Sequence, residues 1–165
     1  KNIMKIKLGE RLPNTEFFYL DTNFNVKKIK SSYLFKDNKT ILIGVPGAFT
    51  KVCSDQHLPG YIKNYEEAEK KGITKIVCVS VNDPNVMRAW GEKLQIQSKI
   101  FMAADPFCEF TKLIGANVDK SAKGLGIRSE RYSMYIENEI VKKLKVEKDT
   151  ASCEISAAEN FLKEI

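Results

Sequence analysis

The stretch Ile41-Leu42-Ile43-Gly44-Val45-Pro46-Gly47-Ala48-Phe49-Thr50-Lys51-Val52-Cys53-Ser54-Asp55-Gln56-His57-Leu58-Pro59-Gly60 decides how this chain folds. Its first five residues are a short apolar run bounded by a turn, which predicts a buried strand. Pro46-Gly47 ends that strand. Thr50 is then a good helix N-cap, and Cys53 falls at the third helical position, inside the first turn. Free backbone N–H groups and the positive dipole end favour an anion there, and a thiol so placed ionises more readily than a free one. One stretch thus supplies an activated sulfur, a hydroxyl one turn before it and a rigid proline wall.

Toward the N-terminus, residues 1–16 are polar and mixed and predict an arm leading into the first strand. Residues 16–20 and 25–29 flank the turn-like Asp21-Thr22-Asn23 and predict a hairpin, after which Ser31-Ser32 cap a short helix through Phe35. Beyond the central stretch, Pro59-Gly60 should kink or break the helix. It resumes over 61–71 with Ile62, Tyr65 and Ala68 inward, and Gly72 is its stop. Residues 76–81 are apolar on both faces and read as a buried strand. Asp83 caps the next helix with Pro84 at its first position, and Val86, Trp90 and Leu94 recur at helical spacing, bordered by Met87. Then come a short strand over 99–102, a short helix over 107–113 and a glycine-containing loop over 120–128. Strands over 131–136 and 140–146 join near Asn138-Glu139, and Ser156 with Glu159 forms a capping box for the last helix. Strands alternating with helices, then a hairpin and a helix, make an α/β layered fold. No repeat, linker or second domain is visible, so 1–165 reads as a single domain.

Composition narrows the function. At 165 residues and 43% hydrophobic, the chain can build one sizeable core. Its apolar runs are far below the ~18 residues a membrane helix needs, so no membrane partner is expected. No secretory signal is visible at the N-terminus. The net charge of +6 raises the question of nucleic acid. Basic residues are spread along the chain beside acidic ones, however, and no basic run is interleaved with stacking aromatics. The reading is a solvated basic surface that attracts small anions. The cysteines are Cys53, Cys78, Cys108 and Cys153, with no Cys-x-x-Cys pair and a single histidine, so no metal site is expected. Their wide spacing does not suit a stapled secreted domain. A reducing compartment fits better: cytoplasm, or an organelle matrix if a presequence was removed. The glycines of 124–126 lack a Gly-x-Gly-x-x-Gly pattern, and there is no Gly-x-Ser-x-Gly elbow.

Pro46, Thr50 and Cys53 match the Pro-x-x-x-Thr-x-x-Cys motif of the peroxiredoxins, and the chain resembles that family. The string Pro-Gly-Ala-Phe-Thr, with Cys53-Ser54 and His57-Leu58-Pro59-Gly60, is similar to the type II subgroup. Val79-Ser80-Val81-Asn82-Asp83-Pro84 and Gly124-Leu125-Gly126-Ile127-Arg128-Ser129 agree with it, and the likeness runs from about Leu12 to Leu162. The resemblance implies a thioredoxin-like fold, a central mixed sheet flanked by helices with an N-terminal hairpin extension. It implies a thiol peroxidase for hydrogen peroxide and small organic hydroperoxides, needing no metal, haem or flavin. Glutathione, glutaredoxin or thioredoxin would be the reductant. It further implies a homodimer, with Phe49, Pro84 and the 124–126 loop near the contact, and a substrate pocket at Gly47 and Phe49.

The chemistry follows from these residues. A thiolate attacks the weak O–O bond in line, but a free thiol is only a few per cent ionised at neutral pH. The helix terminus raises that fraction. Thr50 can donate to the sulfur or accept from the peroxide, and Pro46 shields the oxidised sulfur. A guanidinium is needed for the charge developing on the leaving oxygen. Arg131 and Arg128 compete for that role. Arg131 begins a strand and points to the face opposite Tyr132, Met134 and Ile136. In similar proteins an arginine at this strand start reaches the thiolate, so Arg131 is preferred, and Arg128 is left to loop support or solvent.

His57, one turn after Cys53, suggests a Cys–His pair. The resemblance assigns it no acid–base role, and it reads as packing or hydrogen bonding. Cys78 lies where some plant members carry a resolving cysteine, but in an apolar strand. Cys153 lies about two residues away from where certain animal members keep theirs. Cys108 reads as packing. Single-cysteine catalysis with an external thiol is therefore preferred. Two alternatives are a thiol–disulfide oxidoreductase, which Gln56 in place of a second cysteine argues against, and a non-enzymatic redox sensor or holdase.

Overall fold

The computed structural model describes residues 4–165. The first three residues of the arm expected over 1–16 lie outside them. The rest of the arm tucks Met4 and Leu12 into the core. Strands β1 (Glu16–Leu20) and β2 (Val26–Lys30) form the expected hairpin, with Phe18 opposite Lys28. Helix α1 (Ser31–Phe35) follows. Ser31 is its first residue rather than its cap, because its hydroxyl donates to Pro13 O, and Asn14 Oδ1 accepts the Ser32 N–H instead.

Strand β3 (Lys39–Gly44) carries the apolar run. A helical path then begins at Lys51, passes through a π turn (Cys53–His57) and continues as α2 (Leu58–Lys63). Pro59-Gly60 does not break it. Proline interrupts a helix because it donates no hydrogen bond and crowds the carbonyl four residues back. Here the wide turn shifts the ladder just before Pro59, with the Leu58 N–H reaching Cys53 O. The break comes at Asn64, before α3 (Tyr65–Lys70). Gly72, at φ +88°, is the stop, a conformation that costs glycine little.

Strand β4 (Lys75–Ser80) leads to α4 (Pro84–Lys93), where Asp83 accepts the Val86 N–H at 3.0 Å as expected. The buried face of α4 is Pro84, Met87, Trp90 and Gly91, with Val86 only half-buried at its edge. Strand β5 (Phe101–Ala104) starts two residues later than the sequence suggests, because Ile96 O takes the Lys99 N–H in a turn. Helix α5 (Glu109–Leu113) also starts late. Its free N–H groups at Phe110 and Thr111 are met by the buried Asp105 carboxylate. The loop expected over 120–128 ends in β7 (Ile127–Ser129), which pairs with β6 (Asn117–Asp119) just before the loop. Strands β8 (Tyr132–Glu137) and β9 (Ile140–Val146) turn at Asn138-Glu139, both at positive φ. Helix α6 (Ala158–Phe161) has no capping box, because the Ser156 hydroxyl donates to Glu147.

The main sheet has the order β2-β1-β5-β4-β3-β8-β9. Strands β3, β4 and β5 are parallel and the other pairings antiparallel. Both edge strands carry three lysines, Lys27, Lys28 and Lys30 on β2 and Lys142, Lys143 and Lys145 on β9, which blunts edge-to-edge pairing. One core face holds Ile41, Ile43 and Cys78 against Tyr61, Ala68, Trp90 and Phe161. The other packs Leu42, Val77, Val79 and Met134 against Leu34, Phe35 and Phe110. Each fully buried large aliphatic or phenyl side chain contributes about 1.5–3 kcal/mol.

The β3–β8 register sets the site. Gly44 pairs with Tyr132, so the residue before Tyr132 lies just beyond the C-terminal end of β3. Gly44 is required there, since a Cβ would sit 2.0 Å from the Tyr132 ring. Tyr132, Met134 and Ile136 face one core, which leaves Arg131 and Ser133 facing the other, where Cys53 lies.

Candidate active site

Three segments meet at the C-terminal end of β3: the 45–50 loop, the π turn and the start of β8. Arg131, 1% exposed, spreads its guanidinium over three acceptors. Its Nε donates to Thr150 O at 3.0 Å, its Nη1 to His57 Nδ1 at 3.1 Å and its Nη2 to Cys53 Sγ at 3.1 Å. None of these acceptors is a carboxylate, and none of the ion pairs among the described residues includes Arg131. A buried charge without a counter-charge is costly. Of the three acceptors, the Cys53 sulfur is the one whose chemistry can supply a negative charge to this donor.

His57 is buried and its pKa is lowered from the ordinary 6.5 to about 3, first by burial and then by the Arg131 charge. The ring is therefore neutral near pH 7. With Nδ1 accepting from Arg131, Nε2 carries the proton toward Ser156 O (3.2 Å) and Ser133 Oγ (3.3 Å). The arrangement is that of a hydrogen-bonding prop, with Cys53 bonded to Arg131 instead. A pH effect on stability follows. Between about pH 3 and 6.5 the unfolded chain carries a proton on His57 that the folded chain lacks, so acidification through that window favours unfolding. The slope is at most about 1.4 kcal/mol per pH unit. Denaturant unfolding at pH 7 and pH 5 should show a larger loss for the wild type than for His57→Gln. Equal losses would contradict a buried neutral His57.

Tyr61 lies below His57 and donates within the same network, its hydroxyl 2.7 Å from Ser133 Oγ and 2.8 Å from Ser156 O. Burial raises its pKa, so it stays protonated. On the loop side, Pro46 and Gly47 are buried. Thr50 Oγ1 donates to Gly47 O at 2.7 Å, and the Ser54 N–H donates to Thr50 O at 3.0 Å. The helix thus starts where expected, with the hydroxyl proton committed to the loop. Arg128 braces that loop, its Nη1 donating to Pro46 O at 3.3 Å. A Cβ on Gly47 would sit 2.7 Å from that nitrogen. Phe49 is held at φ 66° and is 48% exposed. Of the other residues expected at a dimer contact, Pro84 is buried, and Gly124 and Gly126 face open space.

Pro46, Gly47, Thr50, Cys53 and Arg131 are thus brought together, with Phe49 at the rim. Cys78 sits in mid-β4, paired on both sides, and burial pushes its thiol pKa well above the ordinary value. Cys153 is half-buried in an irregular segment, and its pKa is also raised, again mainly by burial. Cys108 lies in the left-handed conformation before α5. Cys53 itself has no exposed surface. Among the described residues, no group of three His, Cys, Asp or Glu side chains is placed to hold a metal, and no helix is long and apolar enough to cross a membrane. A groove of about 720 Å³, lined by Tyr19, Tyr65, Arg88 and Phe101 among others, has none of these site residues in its wall.

Sequence reasoning missed Thr150, Ser156 and Glu147, which lie beyond β9. It also missed Ser133, which strand alternation from Arg131 places on the same face.

The redoxin family model matches residues 7–162. The chain is 40% identical over 158 residues to Peroxiredoxin-2D of Arabidopsis thaliana, covering 96% of this chain and 97% of that one. Reduced Prx3 of Vibrio vulnificus in complex with hydrogen peroxide superposes with a TM-score of 0.90 at 41% identity, over 96% of this chain and 98% of that one. The Plasmodium falciparum antioxidant protein, described as a 1-Cys peroxiredoxin, does so at 0.89 and 31%, over 97% and 100%. The chain belongs to the peroxiredoxins, the thiol-dependent peroxidases of the redoxin family. It is an antioxidant oxidoreductase on a thioredoxin-like fold, acting on peroxide with a thiol as reductant.

Proposed function

We propose that Cys53 is the peroxidatic nucleophile and that an external thiol recycles it. The observation that carries this is the 3.1 Å contact from the buried Arg131 guanidinium, which has no carboxylate partner, to Cys53 Sγ. The thiolate attacks one peroxide oxygen, forming the S–O bond as the O–O bond breaks. The departing hydroxide or alkoxide takes a proton and leaves as water or alcohol, and Cys53 becomes a sulfenic acid. Arg131 stabilises the sulfur charge before the step and the oxygen charge during it. The Thr50 hydroxyl, its own proton given to Gly47 O, has lone pairs left to accept the peroxide O–H. Pro46 covers the sulfur on the loop side.

Recycling needs two thiols. The first displaces water from the sulfenic acid to give a mixed disulfide, and the second releases Cys53 as a thiol. We assign both to glutathione, delivered alone or through a glutaredoxin, rather than to thioredoxin. Cys53 is fully buried, so the 51–57 segment must open to admit that thiol. Cys78 is a poor internal alternative, since freeing it means opening a central strand at a cost near global unfolding. Cys153 lies outside the strands, but its pKa is raised, which limits its thiolate. Four free thiols suit a reducing cytoplasm or organelle matrix. A solved relative described as 1-Cys supports the single-cysteine reading.

The test is turnover of Cys78→Ser and Cys153→Ser with glutathione, glutaredoxin or thioredoxin. Each variant should keep most of its glutathione- or glutaredoxin-driven turnover. Loss of turnover in one of them, with near-stoichiometric 53–78 or 53–153 disulfide in the wild type, would make this a two-cysteine enzyme.

A further inference from the structure

Both backbone carbonyls that hold the Arg131–His57 pair come from one irregular segment, residues 147–157, between β9 and α6. Thr150 O accepts from Arg131 Nε, and Ser156 O is bonded by His57, Tyr61 and Ser133. Between its ends, at Glu147 and Ala157, no helix or strand ladder holds that segment. One buried carboxylate does. Glu147 is 3% exposed, and its N–H continues the ladder from β9 by donating to Arg131 O at 2.9 Å. Its Oε2 accepts from the Glu154 N–H (2.7 Å), the Ser156 N–H (2.8 Å) and the Ser156 hydroxyl (2.6 Å). Those short, charge-assisted bonds fold the segment back on itself. Lys120 Nζ pins its middle by donating to Thr150 Oγ1 at 2.6 Å.

We propose that Glu147 is a positioning residue for the Arg131 guanidinium, acting through the loop its carboxylate closes. The inference rests on the role given above to Arg131. No hydrogen bond or ion pair joins the Glu147 carboxylate to the guanidinium itself. That separation has a chemical use: a carboxylate on the guanidinium would neutralise the charge that sulfur and peroxide need. Instead the negative charge is spent on two backbone N–H groups and a hydroxyl, and one neutral carbonyl and an imidazole grip the guanidinium. If the loop loosens, Arg131 loses the Thr150 anchor, and His57 loses Ser156 O. Only the contact to Cys53 then remains at full strength, and the guanidinium can drift from the peroxide.

The experiment compares two rates at Cys53 in the full chain: oxidation by hydrogen peroxide, and alkylation by iodoacetamide followed by mass spectrometry. Both need the thiolate, but only the first needs a guanidinium aimed at a departing oxygen. Because unfolding or local opening also exposes the buried Cys53 to iodoacetamide, the ratio is read in the Arg131→Ala background as well: a Glu147→Ala defect that acts through the guanidinium adds nothing there, whereas a merely structural defect lowers the ratio again. Misplacement of a catalytic group by about 1 Å can cost about 10²-fold. In Arg131→Ala and Glu147→Ala the ratio should therefore fall by roughly tenfold to a hundredfold. Glu147→Gln, which keeps an acceptor oxygen, should retain most of it, and Ser156→Ala should fall between. If Glu147→Ala does not fold, Ser156→Ala carries the test, with a lowered ratio expected and an unchanged one overturning the inference. A lowered ratio in Arg131→Ala beside an unchanged one in folded Glu147→Ala overturns this inference alone. An unchanged ratio in Arg131→Ala overturns the role of Arg131 and this inference with it.

Discussion

Cys53→Ser should abolish peroxide turnover, by roughly three orders of magnitude or more, because the sulfur proposed as the attacking atom is removed. A serine hydroxyl fits the same space but is neither ionised at neutral pH nor able to form a sulfenic acid. The remaining cysteines cannot take over. Cys78 is locked in the central strand, and Cys108 and Cys153 have pKa values raised by burial. Among the four, only Cys53 has a guanidinium nitrogen within hydrogen-bond distance of its sulfur. Steady-state peroxide consumption with the glutathione–glutaredoxin couple measures the effect. Retention of most of the turnover in Cys53→Ala would sink the whole reading.

Arg131→Ala should slow oxidation of Cys53 by about 10²–10³-fold, the usual cost of removing a donor aimed at developing negative charge. Two effects combine. The sulfur loses its charged hydrogen-bond donor, and the departing oxygen loses the same group an instant later. Arg128→Ala should cost much less. Its guanidinium bonds Pro46 O and Leu125 O, so it supports the loop and touches neither Cys53 nor the site of attack. Stopped-flow oxidation at several peroxide concentrations distinguishes them. Equal losses at the two positions, or a larger loss for Arg128→Ala, would reverse the assignment.

The local half of this site was legible in the sequence, because it depends on short-range rules. The apolar run, the Pro46-Gly47 stop and Thr50 put the helix start at Lys51 and Cys53 in its first turn. Alternation along β8 put Arg131 on the face opposite Tyr132, Met134 and Ile136, which in the structure is the Cys53 side of the sheet. Pro59 misled, because its effect is absorbed by a π turn that no sequence signal announced. Ser156 and Glu159 look like a capping box, but the hydroxyl has a stronger offer in a buried carboxylate nine residues before it. The long-range half was hidden for the same reason. That Glu147 closes a loop, and that Thr150 and Ser156 lend carbonyls to Arg131 and His57, depends on where β9 ends relative to β8. Sequence spacing carries no trace of that pairing.

The central claim is that peroxide oxidises one sulfur, the one bonded to Arg131. The most direct measurement is mass spectrometry of the wild-type chain after one equivalent of hydrogen peroxide without reductant, with a sulfenic-acid trap present. The trapped mass should map to Cys53, and Arg131→Ala should reduce its yield at short times. Trapping spread evenly over Cys53, Cys78, Cys108 and Cys153, or concentrated on any of the last three, would contradict the account.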